Sequence, residues 1–304
     1  MQTVGAHVAE TTVTRSYLFV PGDSEKKLQK AASSAADAVI VDLEDSIAAS
    51  ARPHARELAR EFLQSNRDLR VWIRINPMGT ADAEADLQAV MPAAPTGIVV
   101  PKPRHPGDIV DLARILERLE RAHGEERGVE SGRTAILPIA TEHPQALFHL
   151  HEYTGSTSRL GGLAWGAEDL SAAVGAMASR DATGAWLPPY ELARSLCLFA
   201  ASAAGVPAVD TVYTDFRDDD GLAAYAARAR RDGFAGMLAI HPAQVDIIND
   251  AFSPSDAEIE RARRIVALFE ANPDSGTLGM DGQMLDRPHW VQAQRILEIA
   301  TQSK

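Results

Sequence analysis

Residues 38–45 read Ala-Val-Ile-Val-Asp-Leu-Glu-Asp, a short β-branched run that ends in carboxylates. Such a run predicts a β-strand with acidic side chains at its carboxyl end. Similar runs recur along the whole chain, separated by segments rich in Ala, Leu and Arg. The eight predicted strands are Tyr17–Val20, Ala38–Leu43, Val71–Ile75, Gly97–Pro101, Ala135–Ile139, Gly161–Trp165, Ala208–Val212 and Met237–Ile240.

The segments between these strands have helical composition. The predicted helices include Ser24–Ser34, Pro53–Gln64, Asp108–His123, Pro144–Tyr153, Pro189–Ala204 and Gly221–Asp232. Strands that alternate with helices indicate parallel βαβ units. Eight such units predict an α/β fold of the (β/α)8 TIM barrel type, with a doubly wound open sheet as the alternative.

The chain is expected to divide into three parts. Residues 1–14 are predicted to be a disordered or frayed lead-in, residues 15–252 the barrel, and residues 253–304 a C-terminal helical extension. Within the extension, Asp256–Glu270 and Arg287–Ala300 are predicted helices. The segment between them, from Asn272 to Gly282, is rich in turn formers and is predicted to be a loop.

The bulk composition limits the function classes. A net charge of −12 argues against nucleic acid as a partner, because phosphate backbones are bound by basic surfaces. The single cysteine, Cys197, excludes an intrachain disulfide and is predicted to be buried and inert. No segment has the roughly 20 apolar residues of a membrane span, and the N-terminus does not resemble a secretory signal. We therefore expect a cytoplasmic protein without a membrane partner.

Charged residues gather where the predicted strands end. In a (β/α)8 barrel the chemistry lies at these carboxyl ends, and six of the eight predicted ends carry charge. Taken singly, each carboxylate is explained as a helix cap or a solvated loop residue. Together they are harder to explain in that way, because unpaired buried charge is costly. The residues concerned include Asp42, Glu44, Asp45, Arg74, Lys102, Glu142 and Asp169.

The convergent set is rich in oxygen ligands and lacks the His/Cys spacing of a zinc site. It therefore favours Mg²⁺, with Mn²⁺ as a possible substitute. Glu142 and Asp169 are about one βα unit apart, so they are expected on adjacent strand ends, within reach of one ion. Arg74 and Lys102 would supply positive charge for a carboxylate or a developing enolate oxygen.

Six motifs in this order resemble the citrate lyase β-subunit-like family, which belongs to the HpcH/HpaI aldolase and malyl-CoA lyase superfamily. The resemblance extends from about Arg15 to Trp290. It implies a (β/α)8 barrel and the reversible, Mg²⁺-dependent cleavage of a 3-hydroxyacyl-coenzyme A thioester. The motifs are Arg15-Ser-Tyr-Leu-Phe-Val-Pro-Gly22, Asp42-Leu-Glu-Asp45, Arg74-Ile-Asn76, Pro101-Lys102, Gly166-Ala-Glu-Asp169 and Ala239-Ile-His-Pro242.

The resemblance also implies site residues and products. Glu142 and Asp169 match the metal-binding and substrate-binding carboxylates, and Arg74 matches the active-site arginine. Asp286 resembles a catalytic aspartate that the extension delivers to the adjacent subunit, which implies a homotrimer or hexamer. A 3-hydroxyacyl-CoA such as malyl-CoA or citramalyl-CoA would give acetyl-CoA (or, from other members of this class, propionyl-CoA) and a 2-oxo acid, glyoxylate or pyruvate.

Supporting roles are assigned to further charged residues. Asp42, Glu44, Asp45 and Lys102 are expected to orient the arginine and the metal waters from a second layer. Arg15, Lys26 and Lys27 are candidates for the coenzyme A phosphates, although solvated helix charge explains them equally well.

Two departures from the family pattern leave the substrate open. Family members commonly have Thr directly after the metal-binding Glu and Arg two residues after that Thr, where this chain has His143 and Gln145. They frequently have Lys after the Gly that precedes the His-Pro motif, where this chain has Met237 after Gly236. The alternatives are a CoA-independent 2-oxo-acid aldolase, a malyl-CoA thioesterase or malate synthase, and a non-catalytic acyl-CoA-binding subunit. An unrelated barrel with structural carboxylates is a further alternative.

Overall fold

The computed structural model describes residues 13–124 and 132–302. Eight strands form one parallel sheet, and each begins within two residues of a predicted strand. Numbered in chain order, they are β1 Ser16–Pro21, β2 Ala38–Asp42, β3 Val71–Arg74, β4 Gly97–Val100, β5 Ala135–Pro138, β6 Leu163–Ala164, β7 Ala208–Asp210 and β8 Gly236–Ala239.

The sheet is a nearly closed barrel. Its strand order is β5-β4-β3-β2-β1-β8-β7-β6, with β1 paired to both β2 and β8. The outer strands β5 and β6 meet through single bridges rather than a continuous ladder, at Ile136–Leu160 and Ile139–Ala164. This closure confirms the (β/α)8 barrel over the open sheet. Because all eight strands are parallel, their carboxyl ends lie at one end of the barrel.

Helices surround the barrel and make up most of the extension. Their bounds are α1 Glu25–Ala32, α2 Arg52–Ser65, α3 Ala81–Val90, α4 Pro106–Gly124, α5 Pro144–Leu147, α6 Glu168–Ala173, α7 Pro188–Ala204, α8 Asp219–Asp232, α9 Gln244–Phe252, α10 Asp256–Glu270 and α11 Arg287–Gln302. The prediction of one helix over Pro144–Tyr153 was wrong, because α5 ends early and a 3₁₀ turn covers Leu150–Tyr153. Across the described residues, none of these helices has the combination of length and apolar character that spanning a membrane requires.

The barrel interior is filled with side chains. In β2, Ile40 packs into the interior cluster, whereas Val39 and Val41 pack outward against the helices, as the two-residue period of a strand requires. Trp72 lies inside, with its ring edge against Tyr17 at 6.2 Å between centroids. It also requires a glycine at position 97, where an added Cβ would lie 2.2 Å from the indole. The interior is therefore a packed core, and Cys197 is buried in the outer layer as predicted.

The C-terminal extension contains a β-hairpin that the sequence prediction missed. Strands β9 (Thr277–Met280) and β10 (Gln283–Asp286) pair antiparallel, where a loop was predicted as far as Gly282. Asp281 and Gly282 form the turn with φ of 53° and 76°, the conformation that an Asp-Gly pair favours. The extension has a small core of its own, formed by Ala262, Ile265, Phe269, Leu285 and Ala293. Residues 1–12 of the predicted lead-in lie outside the described residues.

Candidate active site

Arg74 and Asp42 form a two-point ion pair at the carboxyl ends of β2 and β3. Arg74 Nε lies 2.6 Å from Asp42 Oδ1 and Nη2 lies 2.7 Å from Oδ2. Burial opposes the ionisation of Asp42, but the bonds from Arg74 hold its pKa below the usual value. The guanidinium also lies 4.8 Å from the centre of the Phe19 ring. Arg74 is therefore held in one orientation, with N–H groups left for a substrate oxygen.

Glu44 and Lys102 extend this network toward β4. Lys102 Nζ lies 2.5 Å from Glu44 Oε1 and 2.7 Å from Asp45 Oδ2. Arg74 Nη1 lies 3.2 Å from Glu44 Oε2. Glu44 is buried, and desolvation raises its pKa despite both cations. The residues predicted to support the site thus form one connected charge network.

Glu142 follows β5 and is only 6% exposed. Its Oε2 accepts a 2.6 Å hydrogen bond from the backbone N–H of Lys102, which adopts a left-handed φ of 51°. Burial, reinforced by the nearby charge of Asp169, raises the pKa of Glu142 to about 8. The cap of α5 is His143, whose Nδ1 accepts from the N–H of Gln145. Glu142 itself points to the strand ends and does not cap this helix.

Gly166 lies directly against Glu142, a position that the sequence analysis, which named it only as the first residue of the motif Gly166-Ala-Glu-Asp169, did not predict. A Cβ at this position would lie 2.7 Å from Cγ of Glu142 and 2.9 Å from Cγ2 of Ile139. Thr141 Oγ1 accepts a 3.0 Å hydrogen bond from the N–H of Gly166. The loop after β6 therefore approaches Glu142 closely only because residue 166 has no side chain.

Asp169 lies in the first turn of α6, one strand away from Glu142. Its side chain is 36% exposed, and Oδ1 lies 3.5 Å from Lys102 Nζ. The N-cap of α6 is Ala167, so Asp169 does not cap the helix. The charges of Arg74, Glu44 and Asp169 all act on the pKa of Glu142, which places the four groups around one region.

The two carboxylates fit a magnesium ion. Glu142 and Asp169 come from neighbouring strand ends, offer oxygen atoms only, and repel each other electrostatically. A divalent cation between them would remove that repulsion and allow the buried Glu142 to ionise. Asp169 faces solvent in part, which leaves room for the waters that Mg²⁺ usually retains. The residues present therefore suit this ion.

The remaining predicted residues are placed apart from this network. Arg15 precedes β1 at the opposite, amino end of the barrel, where Asp37 and Ser253 bind its guanidinium. That position does not bring Arg15 to a coenzyme A bound at the carboxyl ends. Lys26 and Lys27 are exposed in the first turn of α1, which begins at the site end. Asp286 ends β10, and its Oδ1 pairs with Nδ1 of His289.

Comparison with known proteins places this geometry in context. The model of the HpcH/HpaI aldolase/citrate lyase family matches residues 15–242. A (3S)-malyl-CoA thioesterase of Cereibacter sphaeroides is 35% identical over 291 residues, covering 94% of this chain and 94% of the relative. A citrate lyase subunit beta-like protein of Mycobacterium tuberculosis is 34% identical and covers 93% of this chain and 94% of the relative.

A crystal structure supports the same assignment at the level of the fold. The protein CitE of Mycobacterium tuberculosis, solved in complex with magnesium, acetoacetate and coenzyme A, superposes with a TM-score of 0.79. It is 32% identical, and the alignment covers 96% of this chain and 100% of that chain. The resemblance inferred from the six motifs is therefore confirmed.

Proposed function

Because the chain belongs to the HpcH/HpaI aldolase/citrate lyase family, we propose that it is a Mg²⁺-dependent carbon–carbon lyase of 3-hydroxyacyl-CoA thioesters. Malyl-CoA would be cleaved to acetyl-CoA and glyoxylate, and citramalyl-CoA to acetyl-CoA and pyruvate; a 3-hydroxyacyl-CoA with a methyl group next to the thioester would give propionyl-CoA instead. One observation carries the proposal. The buried Glu142 and the neighbouring Asp169 form a two-carboxylate cation site beside Arg74, which Asp42 holds in place.

The residues around this site suit cleavage between the hydroxyl-bearing carbon and the carbon next to the thioester. Mg²⁺, held by Glu142 and Asp169, would supply Lewis acidity toward the oxygens of the hydroxy-acid end. When the bond breaks, its electron pair moves into the thioester and forms an enolate. Arg74 would stabilise the enolate oxygen, and preorganised charge of this kind is usually the largest catalytic term.

The hydroxyl proton needs an acceptor, and Asp286 of a neighbouring subunit is proposed for that role. Within its own chain, Asp286 lies on the small extension, where it pairs with His289. The side chain of Asp286 is 38% exposed, which leaves its carboxylate accessible to another copy of the chain. A trimer or hexamer would then be the active form. Lys26 and Lys27 are proposed to contact the coenzyme A phosphates, since α1 begins at the site end of the barrel.

Malyl-CoA hydrolysis is a second candidate, favoured by the relative named (3S)-malyl-CoA thioesterase. A hydrolase would release malate and free coenzyme A, whereas a lyase would release acetyl-CoA and glyoxylate. Both activities would use the same thioester and the same cation site. Product identity therefore separates them.

The direct test is incubation of the purified protein with malyl-CoA and, separately, citramalyl-CoA, with Mg²⁺ or with EDTA. We expect the 2-oxo acid and the shorter acyl-CoA to appear together only when Mg²⁺ is present. The Asp169→Ala variant should lose this activity and its Mg²⁺ binding together. Release of free coenzyme A without a 2-oxo acid would show that the protein is a thioesterase and not a lyase. Full activity in EDTA would exclude the cation site as the catalytic centre.

A further inference from the structure

A second group of potential metal ligands lies outside the carboxylate network, between the N-terminus of α4 and the 3₁₀ turn after α5. It consists of His105, His149 and Glu152, whose ligand atoms all lie within 4.8 Å of one another. His105 Nε2 lies 2.9 Å from Glu152 Oε2, and His149 Nδ1 lies 2.8 Å from Glu152 Oε1. The carboxylate thus holds both imidazoles, one on each oxygen.

The three side chains are held by local backbone structure. His149 and Glu152 are three residues apart in one turn, closed by a 3.0 Å hydrogen bond from the Glu152 N–H to the His149 carbonyl. His105 precedes α4, and its carbonyl accepts a 3.0 Å bond from the N–H of Asp108. The two imidazole rings lie 4.5 Å apart between centroids. The ligand atoms therefore converge without a large rearrangement of the chain.

The donor set differs in kind from that of Glu142 and Asp169. Two imidazole nitrogens and one carboxylate oxygen suit Zn²⁺ and the neighbouring transition ions, whereas Mg²⁺ prefers oxygen alone. Three protein ligands leave a fourth position for water, as in open zinc sites. The side chains of His105, His149 and Glu152 are 43%, 31% and 37% exposed, so an ion and its water have access.

We propose that His105, His149 and Glu152 form a binding site for Zn²⁺ or a related transition-metal ion that joins the βα loops after β4 and β5. The hydrogen bond from His149 also lowers the pKa of Glu152, so the carboxylate is ionised and ready to bind. The site requires small adjustments. Tetrahedral ligands about 2.0–2.1 Å from zinc lie roughly 3.4 Å apart, slightly more than the present contacts.

Binding also changes the hydrogen bonding of both histidines, because His105 Nε2 and His149 Nδ1 must give up the protons that they donate to Glu152. His105 Nδ1 now accepts a 2.9 Å bond from the N–H of Gly107. A neutral imidazole that binds the ion through Nε2 carries its proton on Nδ1, so this bond must break. The Gly107 N–H lies in the first turn of α4, where backbone N–H groups have no intrahelical partner and can bond to water. The bonds to the ion replace the two hydrogen bonds between the imidazoles and Glu152, and the hydrogen bond from Gly107 is lost in addition.

The position of the site links it to the strand ends without sharing ligands. His105 lies three residues after Lys102, and His149 lies seven residues after Glu142. A bound ion would tie together the two loops whose contact is the Lys102–Glu142 hydrogen bond. The site is tested by measuring metal binding, which does not depend on the proposed lyase activity.

The experiment is calorimetric titration of the full chain with Zn²⁺ in excess Mg²⁺, which keeps the oxygen site filled. We expect one Zn²⁺ per chain to bind, and Co²⁺ to give the strong visible absorption of a four-coordinate site. His149→Ala and Glu152→Gln should each weaken this binding at least about tenfold, the loss that even an outer partner of a metal can cause.

The matched control is His151→Ala, which removes an exposed histidine from the same turn. It should leave the Zn²⁺ affinity and the Co²⁺ spectrum unchanged. The proposal is overturned if the wild-type chain binds no Zn²⁺ in excess Mg²⁺. It is overturned equally if His149→Ala and Glu152→Gln bind Zn²⁺ as tightly as the wild type.

Discussion

The backbone N–H of Lys102 donates a 2.6 Å hydrogen bond to Oε2 of Glu142. The loop after β4 therefore holds the carboxylate that follows β5, and Lys102 adopts a left-handed backbone conformation to do so. Such conformations in residues other than glycine cost energy and persist where the surrounding structure imposes them. The same residue directs its ammonium group to Glu44 and Asp45, so one side chain and one N–H connect three strand ends.

The first prediction concerns the pH dependence of Mg²⁺ binding. Burial and the charge of Asp169 raise the pKa of Glu142 to about 8, so the metal-free protein carries a proton there at lower pH. Mg²⁺ must displace this proton, and its affinity should therefore rise with pH and level off above about pH 8. Titration calorimetry in buffers of different ionisation enthalpy should detect proton release. Equal affinity at pH 6 and pH 8 without proton release would refute this assignment.

The second prediction concerns Gly166. The Gly166→Ala variant would place a Cβ 2.7 Å from Cγ of Glu142 and force the carboxylate to move. We expect Mg²⁺ affinity to fall by about tenfold or more, as when the support of a metal ligand is disturbed, while the circular dichroism spectrum stays unchanged. Gly276→Ala is the control, because no atom lies within 4 Å of a Cβ at that position. Similar losses in both variants would contradict the close-approach explanation.

The third prediction separates catalysis from stability with two arginines that each form a two-point ion pair. Arg74→Lys loses the two-point contact with Asp42, which an ammonium group cannot reproduce. We expect kcat for the proposed cleavage to fall by about 100-fold or more, since a preorganised charge is lost. Mg²⁺ affinity should change little.

Arg159→Lys is the matched control for this change. Arg159 makes a similar two-point contact with Glu120, at the amino end of the barrel. Its replacement should lower the melting temperature but leave kcat near the wild-type value. If Arg74→Lys lowered only the melting temperature, Arg74 would be structural.

The fourth prediction concerns Asp286 and the subunit arrangement. Arg74→Ala and Asp286→Ala should each be inactive, and mixed oligomers of the two should regain part of the activity. In such an oligomer, some sites would combine the intact Arg74 of an Asp286→Ala subunit with the intact Asp286 of a neighbouring Arg74→Ala subunit. Mixtures of Arg74→Ala and Asp169→Ala should stay inactive, because both residues are proposed to act from the same chain. Activity that fails to return in verified mixed oligomers of the first pair would refute the shared site.

The order of strands and helices could be predicted from the sequence, because the periodicity of apolar residues in each element is a local property. Runs such as Ala38–Leu43 and Pro53–Gln64 predicted the eight βα units, and the six motifs, among them Gly166-Ala-Glu-Asp169, indicated the family. Errors occurred where local signals compete. The segment from Asn272 to Gly282 was predicted to be a loop because of its turn formers, although its Asp281-Gly282 pair forms the turn of a hairpin.

What the sequence determined by itself was the barrel, the family and the set of charged strand ends. What only the tertiary structure decided was which of these charges meet. Arg15 precedes β1 and Arg74 ends β3, so the parallel pairing of the strands puts them at opposite ends of the barrel. Glu142 and Lys102 meet across two loops, and His105 reaches His149 and Glu152 from the loop before α4. The physical reason is that such contacts depend on the paths of the loops and on close approaches such as that at Gly166. Both are set by the packing of the whole chain and not by the local sequence.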